Sequence, residues 1–279
     1  MVQRDHPTGM IRVRRHGAAG PWVIVLHGGP AAVGEAAPLA RGLAGEFRVL
    51  EPWQRGGGGQ TLTVARHVED LHQVATSLCG GVRPALVGHS WGAMLGLAYA
   101  ATHPDAAGPL VLVGCGTFDL ASRRRMDAIY DERIDADLRR KLDQVEQEAD
   151  SSDRLKKKYE LLRPLFLYDP VEEEEDAEAN AVPFDQQAHS ETWNDMLRLQ
   201  GEGVYPAAFA AITSPVIMLH GAYDPHPGEM IRDSLKPYLP QVEYHQWDRC
   251  GHNPWLERAV HDDFFATLRR WLLRHMAAD

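Results

Sequence analysis

Pro84-Ala85-Leu86-Val87-Gly88-His89-Ser90-Trp91-Gly92-Ala93-Met94-Leu95 is the stretch around which the rest of the chain is organised. An apolar run ends in Gly88-x-Ser90-x-Gly92, and a small-residue helical pattern continues through Ala100. A strand that turns abruptly into a helix in this way holds one serine at the apex of a nucleophile elbow. The serine's backbone is strained there, so the residues two before and two after it must lack a Cβ for strand and helix to pack closely. The bare five-residue pattern is common by chance; the strand before it and the helix after it make it specific.

Working outward, residues 10–16 alternate weakly and read as a short strand. Trp22–Leu26, Phe47–Leu50, Pro109–Val113, Pro215–His220 and Val242–Trp247 are strand-like, several of them continuously apolar. Continuous apolarity is the mark of strands buried on both faces. Helical patterns fall over residues 35–45, 64–79 and 228–239, and a closing helix presents Val260, Phe264, Leu268, Trp271 and Leu272 on one face. Strands alternating with helices predict an α/β fold, a mainly parallel sheet with helices on both sides. From about Thr117 to Ala208 the pattern changes to charged, helix-forming sequence, with amphipathic segments over 134–149, 153–167 and 186–200 and an acidic run from Glu172 to Asp176. The expected organisation is a core of residues 1–116 and 209–279, with residues 117–208 inserted as a helical cap.

At 44% apolar and 24% charged residues over 279 positions, the composition is that of an ordinary globular protein with a substantial core. No apolar run approaches the 18 or so residues of a membrane span. Met1–Pro7 has no apolar h-region, and Cys79, Cys115 and Cys250 are sparse and scattered, so the expectation is a cytoplasmic protein with reduced thiols. Residues 119–205 hold 23 acidic against 13 basic side chains, which accounts for the whole net charge of −10. A net-acidic chain without a basic stripe argues against nucleic-acid binding.

A serine hydroxyl needs a base to take its proton, and the base needs a carboxylate to fix its tautomer. In such sheets the reactive site lies at the carboxyl ends of the strands. His252, in the loop after the last strand, is the candidate base, and Asp224, after the strand that follows the insertion, the candidate carboxylate. Their order, Ser90, Asp224, His252, is the one this architecture uses. Asp119, just past the preceding strand, is a competitor for Asp224's place, while Asp248 reads as a turn former. Two N–H groups are needed to hold a developing oxyanion. Trp91, directly after the serine, offers one; Gly29, in His27-Gly28-Gly29-Pro30, offers the other, because Pro30 has none. His27 reads as structural. A histidine base predicts an acid limb with an apparent pKa of about 6 to 7. Gly56–Gly59 lacks the spacing of a phosphate cradle, His67 and His72 are five apart, and Cys250 and His252 are isolated, so neither cofactor nor metal is expected.

Together these elements resemble the α/β-hydrolase superfamily over nearly the whole chain. Within it, His27-Gly28-Gly29-Pro30, Gln54-Arg55-Gly56 and Gly88-His89-Ser90-Trp91-Gly92 look like the proline iminopeptidase-like branch. The resemblance implies cofactor-independent hydrolysis of amide or ester bonds, with a helical cap between the sixth and seventh strands of the family's sheet. Two motifs depart from the branch. Ala31 stands where it has glycine, and Trp53 and Gln60 replace the aspartate and serine of Asp-Gln-Arg-Gly-x-Gly-x-Ser. In that branch cap glutamates hold the substrate's free amine, and no residue here matches them one for one. The cap's acidic excess reads first as a solvated face that keeps the protein soluble. The sharper alternative is that some of its carboxylates face the pocket and receive a substrate cation, with Glu191, Asp195 and Glu202, on or just beyond the last cap helix, as the candidates. The expected function is therefore a serine hydrolase acting on a small ester or an N-terminal aminoacyl amide through an acyl-enzyme. The rival is a non-catalytic small-molecule binding protein on the same scaffold. Neither nucleic acid nor membrane is an expected partner, and the oligomeric state is open.

Overall fold

The computed structural model describes residues 10–147, 151–172 and 176–276. Seven strands form one sheet: β1 (Val13–His16), β2 (Trp22–Leu26), β3 (Arg48–Pro52), β4 (Ala85–His89), β5 (Leu110–Val113), β6 (Val216–Gly221) and β7 (Val242–Trp247). Their spatial order is β1-β3-β2-β4-β5-β6-β7. Only β1 runs antiparallel, on β3; the other pairs are parallel.

The alternation of side chains along each strand builds two apolar layers. Ile24, Leu26, Leu86, Leu110, Leu112, Val216 and Met218 join one, against helices α2 (Val64–Leu78), α3 (Trp91–Thr102) and α9 (Gly228–Leu235). Val23, Val25, Val87, Val111, Val113, Ile217 and Leu219 join the other, against α1 (Ala37–Leu43) and α10 (His261–Met276). Every strand from β4 to β6 is buried along its whole length, which is why each reads as a continuous apolar run.

Between β5 and β6 the described residues form α4 (Leu120–Arg133), α5 (Ala136–Glu146), α6 (Ser151–Phe166), α7 (Ala177–Asn180) and α8 (Gln186–Gly201), with no strand among them. The pattern over 134–149 thus corresponds to α5, its last two positions lying outside the described residues, as do 173–175 of the acidic run and the stretch Met1–Pro7. The start of α4 was not marked by periodicity: of its 14 residues only Ser122 is buried, so no apolar stripe exists to read. After α6 the chain returns to the sheet. His252 N–H donates to Phe166 O (2.7 Å), and the buried Glu257 carboxylate accepts from the N–H groups of Tyr168 (2.8 Å), Asp169 (2.7 Å) and Gly251 (2.8 Å). Among the described residues no helix is long and apolar enough to cross a membrane.

Candidate active site

Ser90 sits between β4 and α3 with φ 54°, ψ −116°, a conformation costly for a residue with a side chain. The close approach that the flanking glycines allow is literal. A Cβ on Gly88 would collide with the carbonyl of Gly92, and one on Gly92 with the carbonyls of Leu26 and His27. Gly28 is close too, though less severely: a Cβ there would lie 3.2 Å from Ser90 Cβ. Ser90 N–H is anchored to Val113 O at 2.8 Å.

The structure brings Asp224 and His252 together. His252 Nδ1–H donates to Asp224 Oδ2 at 2.7 Å, and both residues are buried. The loop bearing His252 packs tightly on β5's end, where a Cβ on Gly114 would approach His252 Nδ1 to 2.9 Å. Asp119 is elsewhere. It caps α4, accepting from Ser122 N–H (2.8 Å) and Ser122 Oγ–H (2.7 Å), so Asp224 is the carboxylate at the imidazole.

Asp224 also holds a second imidazole. Its Oδ1 accepts from His226 Nδ1–H (2.8 Å) and from the His226 backbone N–H (2.9 Å), while His220 Nε2 lies 3.2 Å from Oδ2 and bonds His226 O at 2.9 Å. Burial alone would raise the pKa of Asp224; the three histidines instead hold it well below the usual carboxylate range. Burial lowers His252 to about 4, outweighing the attraction of Asp224. This displaces the limb expected at about 6 to 7 from an ordinary imidazole. Asp224, His226 and His252 offer ligand atoms within 4.8 Å of one another. The His226 and His252 rings, however, lie 4.7 Å apart and only 18° from parallel, so their in-plane nitrogen lone pairs do not converge on one ion.

The His27–Pro30 loop is fixed from below. His27 accepts from Gln54 N–H through Nε2 (3.1 Å), and the Gln54 side chain donates to His27 O (2.9 Å) while accepting from the Trp91 indole (2.7 Å). Gly28 N–H is directed to Glu35 Oε2 at 3.2 Å. Ala31, at the position where the branch has glycine, has φ 72°.

Ser90, Trp91, Gly28, Gly29, His226 and His252 open onto one cavity of about 770 Å³, walled on the far side by Met126, Tyr130, Leu162, Phe166, Phe184 and Trp193. The candidate amine-binding carboxylates do not serve this cavity. Glu191 Oε2 accepts from Leu62 N–H and Asp195 Oδ2 from Val64 N–H, each at 2.8 Å, so both bind the start of α2. Glu202 pairs with Arg198 at 2.7 Å. Orphan N–H groups at a helix start attract acids, which explains Asp195 on Val64 N–H, while Glu191 satisfies the Leu62 N–H just before the N-cap; neither needs a substrate.

His226 and Glu35 went unread in the sequence. His226 carried a signal, two residues beyond Asp224 in the same turn. Glu35 carried none: its partners Gly28, His89 and Asn253 are spread along the chain.

Known proteins bear on this arrangement in two ways. Over residues 102 long, the chain is 41% identical to a proline iminopeptidase of Neisseria gonorrhoeae, covering 33% of this chain and 32% of that protein. The matched stretch thus spans about a third of the length of such curated relatives. Among solved structures, a proline iminopeptidase of Mycobacterium smegmatis superposes with a TM-score of 0.62 at 22% identity, over 96% of each chain. An enol-lactonase of Burkholderia xenovorans LB400 does so with 0.60 at 19%, over 94% of this chain and 96% of that one. At these identities the structural likeness is one of fold. The model of the alpha/beta hydrolase family matches residues 23–267, nearly the whole sheet with its flanking helices, and the chain belongs to that family.

Proposed function

We propose that this protein is a cofactor-independent serine hydrolase that cleaves a small ester or an N-terminal aminoacyl amide through an acyl-enzyme. The observation that carries the reading is the 2.7 Å bond between His252 Nδ1 and Asp224 Oδ2, beside a strained Ser90 opening on the same cavity. In this mechanism Ser90 Oγ attacks the substrate carbonyl carbon while its proton passes to His252 Nε2. The new C–O bond gives a tetrahedral oxyanion, received by the N–H groups of Gly29 and Trp91. Collapse breaks the bond to the leaving group, which takes the proton from His252. Water then takes the place of Ser90: it gives a proton to His252 as it attacks the acyl carbon, the second oxyanion collapses with cleavage of the bond to Ser90 Oγ, and His252 returns the proton to Oγ as the acid leaves.

The commitment of Gly28 N–H to Glu35 supports Gly29 as the oxyanion donor of this loop. Residues 117–208 act as the cap that forms the cavity's apolar wall, with Phe166 against His252 at a ring separation of 5.4 Å. The apolar part of that wall suits an apolar acyl group, and the engagement of Glu191 and Asp195 near the start of α2 removes two candidate amine-binding carboxylates, while Glu35 and Asp176 also line the cavity. The test is a panel of p-nitrophenyl esters and of prolyl and alanyl anilides, free and N-acetylated, with Ser90→Ala as control. Ester turnover that falls by roughly 10³-fold or more in Ser90→Ala is expected. Turnover preserved in that variant overturns the reading.

A further inference from the structure

The mechanism makes no use of Glu35, yet this carboxylate touches the chain neighbours of Gly29, Ser90 and His252. Its Oε2 accepts from Gly28 N–H at 3.2 Å, next to Gly29. Its Oε1 accepts from Asn253 Nδ2–H at 2.8 Å, next to His252. The same oxygen lies 2.8 Å from Nδ1 of His89, next to Ser90, without the alignment of a hydrogen bond. His89 continues the chain of contacts, its Nε2 lying 3.1 Å from His252 O, with ring centroids 4.5 Å apart. Gly28 and Asn253 lie in the loops after β2 and β7, which no strand ladder joins, and His89 is the last residue of β4, directly before the elbow serine.

We propose that Glu35 is a positioning residue: one ionised carboxylate that sets the mutual spacing of the oxyanion N–H, the nucleophile and the base. The inference rests on the serine-hydrolase reading above. Its physical basis is geometric. Acyl transfer requires three groups on three separate loops to be held within a fraction of an ångström, and a misplacement of about 1 Å can cost on the order of 10²-fold in rate. A neutral amide reproduces this arrangement poorly, because its one oxygen accepts from Gly28 N–H or from Asn253 Nδ2–H, and its NH₂ is met at the other arm only if the Asn253 amide turns over. The charge is also secure. Burial would raise the pKa of Glu35, but His89 and the Gly28 N–H bring it down to about 2, so the strut stays anionic throughout the pH range in which a hydrolase of this kind turns over.

Glu35→Gln conserves shape and removes the charge; Asn253→Ser removes a single arm and leaves the carboxylate in place. Each is compared with the parent by kcat and KM on an activated ester, per site titrated with a fluorophosphonate, by the rate constant of that labelling, and by Tm. Expected are a loss of about 10- to 100-fold in kcat for Glu35→Gln and of about tenfold for Asn253→Ser, with KM changed by less than about threefold and labelling slowed in parallel. A purely structural role would lower Tm and the fraction of titratable sites while leaving kcat per site intact. That result, or labelling as fast as in the parent in Asn253→Ser should Glu35→Gln not fold, overturns the inference. A parent protein that is not labelled at Ser90 overturns instead the hydrolase reading on which it rests.

Discussion

Asp224 accepts from His252 Nδ1 at 2.7 Å, while Asp119, the other carboxylate within reach by sequence, is spent on the first turn of α4. The two aspartates therefore separate cleanly in mutants. Asp224→Asn should lower kcat by about 10⁴-fold, since an amide stabilises the wrong tautomer of His252. Asp119→Asn should leave kcat within about twofold and cost at most about 1 kcal/mol of stability as a weakened helix cap. Steady-state kinetics with urea unfolding of both variants checks this; a reversed order of effects contradicts the assignment.

Acid pH tests the burial of His252. The imidazole must be neutral to accept a proton, and with its pKa lowered to about 4, kcat/KM should stay flat from pH 8 to about 5.5 and fall below that. A midpoint between 6 and 7 in the pH–rate profile would mean that the imidazole is hydrated.

The same burial makes stability pH-dependent. Burial lowers the pKa of His27, and that of His67, like that of His252, to about 4, whereas unfolded histidine titrates near 6.5. Below about 6.5 the unfolded chain binds protons that the folded chain refuses, so stability declines as pH falls from 6.5 towards 4. The depressed carboxylates Glu35 and Asp224 add a loss of the same sign below about 4.5. The urea midpoint should drop measurably between pH 7 and pH 5; a constant midpoint contradicts neutral burial.

Asp195 separates structure from specificity. Because its carboxylate caps the start of α2 at Val64 N–H, Asp195→Ala should cost on the order of 1 kcal/mol of stability. It should not alter the ratio of kcat/KM for a free-amine anilide to that for its N-acetylated counterpart. A ratio that collapses in the variant would return Asp195 to the cavity.

Gly251 marks how closely the segment after α6 meets the base. A Cβ there would collide with Phe166 O, the acceptor of His252 N–H, and with Glu257. Gly251→Ala should therefore lower kcat by at least tenfold by displacing His252, and reduce Tm as well. Wild-type kinetics in this variant would show that the contact is slack.

The fold was legible because burial writes itself into the sequence. β4, β5 and β6 lie inside two apolar layers, and each carries an apolar run, at residues 85–87, 110–113 and 216–219. The elbow was legible because Gly88 and Gly92 answer to steric demands that only glycine meets. The preference for Asp224 over Asp119 rests in the sequence on its place after the strand that follows the insertion, while the capping of α4 by Asp119 shows only in the fold. The roles of Glu191 and Asp195 were not legible for a related reason. Their helix packs beside α2, some 130 positions earlier in sequence, and an acid that satisfies a distant helix start looks the same in sequence as one that faces a ligand. Glu35 was illegible altogether, as its three partners share no spacing with it.

The most direct test of the account is covalent. The purified protein is incubated with a small alkyl fluorophosphonate, and the intact mass and the modified peptide are determined before and after, alongside Ser90→Ala. A single adduct per chain, on the peptide containing Ser90 and absent from Ser90→Ala, with ester turnover lost in proportion, is the predicted result. An unmodified parent protein, or an adduct that persists in Ser90→Ala, would contradict the claim that Ser90 is an activated nucleophile.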